Sequence, residues 1–184
     1  DIYAKCLLLR VGEKQIGFLT LDLIGLFYND VDDFRRLVCE RELEPKGVIV
    51  SSTHQHSGPD TLGLWGPDPA VSGVNPVYMV FLKARMVDAL AEASRRLRPV
   101  RLCLSKARMP KGIAMNARDP DLIDDEMTIL SVKNTDGSNM AALVNFGLHP
   151  EVLWDDNNLI TADFPCYMYH RVESELGGLC IFVN

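Results

Sequence analysis

Val48-Ile-Val-Ser-Ser-Thr-His-Gln-His-Ser-Gly-Pro59 is the stretch whose reading decides the fold. Val48, Ile49 and Val50 make a short β-branched run after Gly47, the signature of a buried strand. The strand runs into His54-Gln55-His56, and Ser57-Gly58-Pro59 then turns the chain sharply. Side chains alternate along an extended chain, so a strand continuing to residue 56 would point both imidazoles the same way. Two convergent histidines at the end of a core strand are candidate ligands for zinc. A lone His-x-His is equally the pattern of surface or hydrogen-bonded histidines, so the rest of the chain has to decide.

Outward from this stretch, strands alternate with helices. Tyr3 to Val11 and Gln15 to Leu23 read as a hairpin turning at Gly12-Glu13-Lys14. The second of these strands is apolar on both faces, as in a sheet covered on both sides. Asp22 sits at its end, either as a turn residue or as a carboxylate partner for a histidine. Asn29-Asp30 caps a helix over 31–43 with Phe34, Leu37 and Val38 on one face, and Pro45 and Gly47 end it. Asn75 and Pro76 open a long helix over 76–97, on which Val80, Ala84, Val87 and Ala91 recur at helical spacing beside Phe81 and Leu90. Strands follow at Val100 to Ala107, Glu126 to Lys133 and Met140 to Leu148, the last two joined by Asn134-Thr-Asp-Gly137. Asp163 caps a helix over 164–176, with Pro165 at its first position; Gly177-Gly178 ends it and Leu179 to Val183 is a final strand. The pattern predicts a single α/β domain over residues 1–184, with a mixed central β-sheet flanked by helices on both faces.

At 184 residues, 47% hydrophobic and 24% charged, the chain has the composition of an ordinary globular domain with one sizeable core. A formal net charge of −6 argues against a nucleic-acid surface. No apolar run approaches the ~20 residues of a membrane span. Cys6, Cys39, Cys103, Cys166 and Cys180 are scattered, odd in number and without zinc-ribbon spacing, and are expected to be small buried hydrophobes.

Two further places carry candidate chemistry. Asn145-Phe-Gly-Leu-His149-Pro150 puts another histidine where an apolar strand stops, and ligands gather at the carboxyl ends of strands in sheets flanked by helices. Gly147 there leaves room for something close to the backbone. The segment from Asp60 to Asn75 carries Gly63, Gly66, Gly73, Pro67 and Pro69, too long and irregular for a plain connection. Its Leu62, Leu64 and Trp65 either line a wall beside the histidines or fold back onto the core. His170 lies within the last helix and reads as structural or exposed.

Ser51-Ser-Thr-His-Gln-His-Ser-Gly-Pro59 resembles a Thr-His-Thr-His-Ser-Gly-Pro segment of the neutral/alkaline ceramidase family, with Gln55 in place of the middle threonine. Asn145-Phe-Gly-Leu-His-Pro150 followed by Leu159-Ile-Thr-Ala-Asp163, and Asn116-Ala-Arg118 before Asp124-Asp-Glu-Met-Thr128, are similar to two further segments of that family, in the same order. The opening Asp1-Ile-Tyr-Ala-Lys5 resembles its early strand. The resemblance implies a zinc-dependent amide hydrolase acting on a small-molecule or lipid amide, such as an N-acylsphingosine. It implies that His54 and His149 ligate zinc, that His56 stands near the substrate carbonyl and that Arg118 helps frame the site. It further implies that the remaining ligands, a glutamate and a tyrosine, and a nucleophilic serine lie beyond Asn184. The chain is thus expected to be part of a longer catalytic domain, weak in zinc binding and inactive alone. Ser57 reads as a turn residue. The resemblance allows a secreted or periplasmic protein, while the scattered cysteines favour a reducing compartment. The alternatives are another metallohydrolase that begins its site with His-x-His, and a binding module that keeps the scaffold without the chemistry.

Overall fold

The computed structural model describes residues 1–41, 43 and 47–184. Among them the order is β1 (Ala4–Val11), β2 (Lys14–Leu21), α1 (Tyr28–Glu40), β3 (Val48–Ser52), α2 (Pro76–Arg95), β4 (Val100–Arg108), β5 (Glu126–Asn134), β6 (Asn139–Asn145), α3 (Phe164–Leu176) and β7 (Leu179–Val183), with one 3-10 turn at Trp154–Asp156. This is an α/β protein with mixed sheets, as the alternating pattern predicts. The strands sort into a three-stranded sheet, β1-β2-β3, and a four-stranded sheet, β4-β5-β6-β7. The chain divides into two units, one of residues 1–98 and 150–166, the other of residues 99–149 and 167–184.

In the first unit β1 and β2 form the expected hairpin, turning at Gly12 with φ +58°, a left-handed value that glycine takes without strain. β2 then pairs in parallel with β3, from Gly17 opposite Val48 to Leu21 opposite Ser52. A parallel pair needs a long crossover, and α1 lies within it. Phe34 and Val38 of α1 are fully buried against Leu19, Leu21 and Leu23, and Leu37 packs beside them. This helix starts earlier than its polar residues suggest. Its N-cap is Phe27, without a side-chain cap bond, so Asn29 and Asp30 lie inside the first turn. Asp30 and Asp33 are instead placed to hold Lys83 of α2, whose Nζ is 3.2 and 2.6 Å from their carboxylates. Pro45 lies outside the described residues.

α2 begins as expected: the Asn75 side chain accepts from the N–H groups of Val77 and Tyr78, with Pro76 in the first turn. Its buried face differs from the expected one. Met79, Leu82, Met86, Val87 and Leu90 are buried, while Val80 and Phe81 are 71% and 56% exposed. The helix is apolar on more than one side, so spacing alone does not select the row that meets the sheet.

In the second unit β4 and β5 pair antiparallel from Val100–Asn134 to Arg108–Glu126. β5 and β6 follow as a hairpin turning at Gly137, φ +87°. β6 then pairs in parallel with β7, and the Asn145 amide donates to the Val183 carbonyl across their ends at 2.9 Å. Ile181 and Phe182 are fully buried, the latter ring 5.0 Å from that of Phe146. Each unit thus contains a parallel pair, and a histidine-bearing stretch follows β3 in one and β6 in the other.

α3 spans Phe164–Leu176, the expected residues, with Pro165 at its second position rather than its first. Asp163 is buried with φ +58°, and its carboxylate accepts from the N–H groups of Phe164 and Leu153 at 2.6 and 3.0 Å. It therefore clamps the 150–163 loop as well as capping the helix. The cysteines are free, but only Cys180 is fully buried; Cys39 and Cys103 are exposed, contrary to expectation. Burial does push the Cys6 thiol up to about 12, which makes it inert at neutral pH.

Candidate metal centre

The three-stranded sheet positions His54 through its last residues. β3 ends at Ser52, and the chain stays beside the exit of β2 through Thr53 N–H to Leu21 O and His54 N–H to Leu23 O, both 2.9 Å. His54 itself has φ +70°, a left-handed conformation that costs a non-glycine residue ~1 kcal/mol. The extended path expected through His56 is therefore broken at His54, and the period-two argument does not hold there. The turn brings the imidazoles together instead, with ring centroids 5.2 Å apart and planes at 86°.

Three contacts over-determine this turn. His54 Nδ1 donates to the Ile24 carbonyl at 2.6 Å. A carbonyl only accepts, so Nδ1 carries the proton and the lone pair of a neutral ring lies on Nε2. Gln55, fully buried, donates from Nε2 to the Asp22 carbonyl at 2.9 Å and accepts the Ser57 N–H on Oε1 at 2.6 Å. Gly58 is matched to it: a Cβ there would come within 2.2 Å of Gln55 Nε2. The Asp22 carboxylate accepts from the Tyr3 N–H at 2.9 Å.

His56 Nδ1 is 3.2 Å from a Glu151 carboxylate oxygen, and both side chains are half-buried. The segment carrying Glu151 is fastened to the same turn, since the Thr161 N–H donates to the Ser57 carbonyl at 3.0 Å. Ser57 is thus engaged through its backbone on both sides of the turn.

Asp60 organises the glycine-rich loop. Its carboxylate accepts from the N–H groups of Leu62, Gly63 and Trp65 at 2.8–3.0 Å. Burial pushes this carboxyl up, but the N–H groups of Trp65, Leu62, Gly63 and Leu64 outweigh it and hold it below the usual carboxylate range. Gly66 and Gly73 allow backbone to meet backbone, since a Cβ would lie 1.5 Å from Val71 O and 2.4 Å from Trp65 O respectively. The two expectations for this loop divide between its residues. Leu62 packs where Gly25 leaves space, whereas Leu64 and Trp65 stay exposed, the Trp65 ring 6.2 Å from His56 and steeply inclined to it.

In the second unit His149 is exposed and follows the carboxyl end of β6. A Cβ on Gly147 would meet nothing within 4 Å, so that position is open. Arg118 is exposed in the loop between β4 and β5, its N–H donating to the Asn116 side chain at 3.0 Å. His170 is exposed on α3. Sequence reasoning missed Gln55, Asp60, Glu151 and the clamp made by Asp163. Only Glu151 carried a signal, as an acidic residue two positions after a candidate ligand.

His54 and His56 thus present two imidazoles from one turn of the first unit, each a candidate ligand for a metal ion. The chemistry fits: imidazole nitrogen is a preferred ligand of zinc, and the other ring nitrogen of a ligating histidine is normally spent on a carbonyl or carboxylate, as it is in His54.

No family model matches the chain. The chain is 24% identical over 152 residues to the neutral ceramidase of Pseudomonas aeruginosa, covering 76% of this chain and 23% of that protein. It spans less than a quarter of that curated relative's length. The crystal structure of neutral ceramidase from Pseudomonas aeruginosa superposes with a TM-score of 0.77 at 19% identity, over 93% of this chain and 30% of that one. A ceramidase complexed with C2 does so with a TM-score of 0.74 at 19% identity, over 95% and 30%. The resemblance to neutral ceramidases is borne out, and the fold is that of the matching part of a neutral ceramidase.

Proposed function

We propose that this chain supplies the histidine-bearing part of a zinc-dependent amide hydrolase of the ceramidase type. His54 and His149 would hold the metal, with His56 beside the substrate carbonyl and Arg118 framing the site. The observation that carries this reading is the state of the His54 ring: its Nδ1 is committed to the Ile24 carbonyl, so its ligating atom is Nε2. Chain chemistry supports the inclusion of His149. It is two residues from Glu151, so their Cα atoms are within about 7.6 Å, and Glu151 contacts His56. Zinc bound there would supply Lewis acidity for an amide carbonyl and favour an ionised oxygen nucleophile. His56 would take or give a proton, and Arg118 would add positive charge where negative charge develops. Leu64 and Trp65 offer an apolar surface next to His56, which suits a lipid amide.

The other His-x-His metallohydrolases would want further aspartate or histidine ligands close by, as in His-x-His-x-Asp-His, and His56-Ser-Gly-Pro-Asp60 lacks that final pair. Asp60 is the aspartate closest in sequence after the motif, and its carboxylate is occupied by backbone N–H groups. A binding module without chemistry has no observation in its favour. No helix among the described residues is long and apolar enough to cross a membrane.

The test is an assay of the full-length protein on a panel of N-acyl compounds, from short-chain amides to N-acylsphingosines, with and without chelator. Hydrolysis should be lost on chelation and return with added zinc. Activity indifferent to chelation would remove the zinc mechanism, and no turnover of any amide would remove the amidase.

A further inference from the structure

We infer that Glu151 is a positioning residue for His56, holding the ring through Nδ1 so that Nε2 is the nitrogen presented to the substrate. The catalytic half of this inference rests on the amidase reading above; the structural half does not. The Glu151 carboxylate lies 3.2 Å from His56 Nδ1. An ionised carboxylate only accepts, so Nδ1 keeps its hydrogen whether the ring is neutral or charged. The same logic applies to His54, where the acceptor is the neutral Ile24 carbonyl. The two rings of one turn therefore both have Nδ1 engaged, His54 by a carbonyl and His56 by a carboxylate.

The position of Glu151 is itself built. Pro150 is buried, the Leu153 N–H donates to the Asp163 carboxylate, and the Thr161 N–H donates to the Ser57 carbonyl. These bonds hold both ends of the loop that carries Glu151. Trp65 and His54 also contact the His56 ring, at centroid distances of 6.2 and 5.2 Å.

Two variants test this in the full-length protein labelled with 15N-histidine. Glu151→Gln keeps an accepting oxygen of the same reach; Glu151→Leu removes it. Ring-nitrogen NMR should show the Nδ1–H form of His56 in the parent and in Glu151→Gln, and a shift toward the Nε2–H form in Glu151→Leu. On an N-acyl substrate, kcat should fall roughly 10–100-fold in Glu151→Leu, part of the ~10²–10⁴-fold that a positioned acid–base side chain contributes, with KM little changed and zinc content retained. Glu151→Gln should fall between that variant and the parent. Unchanged His56 ring signals in Glu151→Leu would overturn the inference, as would loss of zinc in parallel with kcat. The NMR measurement needs no turnover, so failure of the amidase reading and failure of this one are told apart.

Discussion

Substituting His54 is expected to abolish tight metal binding in the full-length protein and to lower amide hydrolysis at least ~100-fold, since losing even an outer partner of a metal ligand costs 10–100-fold. The choice of substitution matters because the residue has φ +70°. Alanine would be strained there, whereas asparagine visits the left-handed region readily and can hydrogen-bond locally. His54→Asn should therefore keep the turn while deleting Nε2. Metal content by mass spectrometry and hydrolysis of an N-acyl substrate should drop together, with circular dichroism unchanged. Metal content equal to that of the parent would show that His54 is not a ligand.

The second large effect is on stability. Gln55→Thr restores the residue that the ceramidase-family motif carries between its histidines, yet it is expected to destabilise the protein by about 3 kcal/mol. Gln55 is fully buried and spans from the Asp22 carbonyl to the Ser57 N–H. Threonine is too short to reach both. Each buried group left without its partner costs ~1–3 kcal/mol, and the lost volume adds a cavity term. Gly58 allows this glutamine to approach so closely, so the pair acts as one unit. Chemical denaturation of Gln55→Thr and Gln55→Ala should show a lowered midpoint in both. A change below ~0.5 kcal/mol in either, the range of an inconsequential surface substitution, would show that the turn does not depend on this amide.

Much of the fold was legible because its signals are local. The Val48–Val50 run, the Gly12 turn, the Asn75-Pro76 start and the Gly177-Gly178 stop are each written within a few residues. What was not legible depends on tertiary context. The face that α2 buries is set by the sheet it meets, because both Met79–Leu82–Met86 and Val77–Val80–Phe81 are apolar rows. α1 begins before Asn29 and Asp30, whose expected capping role gives way to the pairing of Asp30 with Lys83. At the candidate site the histidines were found from spacing, but the reason offered for their convergence was wrong. A histidine enters the left-handed region only occasionally, and the bonds of His54, Gln55 and Ser57 show why this one goes there. Glu151 was invisible as a partner of His56 because the two are far apart in sequence, and the loop clamp that brings it there relies on Asp163 and Thr161.

Anomalous diffraction at the zinc absorption edge, from crystals of the full-length protein grown with the metal, tests the central claim most directly. The account predicts one peak at about 2.0–2.1 Å, the ordinary zinc–imidazole distance, from Nε2 of His54 and from a ring nitrogen of His149. A peak ligated by neither residue, or by His54 through Nδ1 with the bond to the Ile24 carbonyl broken, would contradict it.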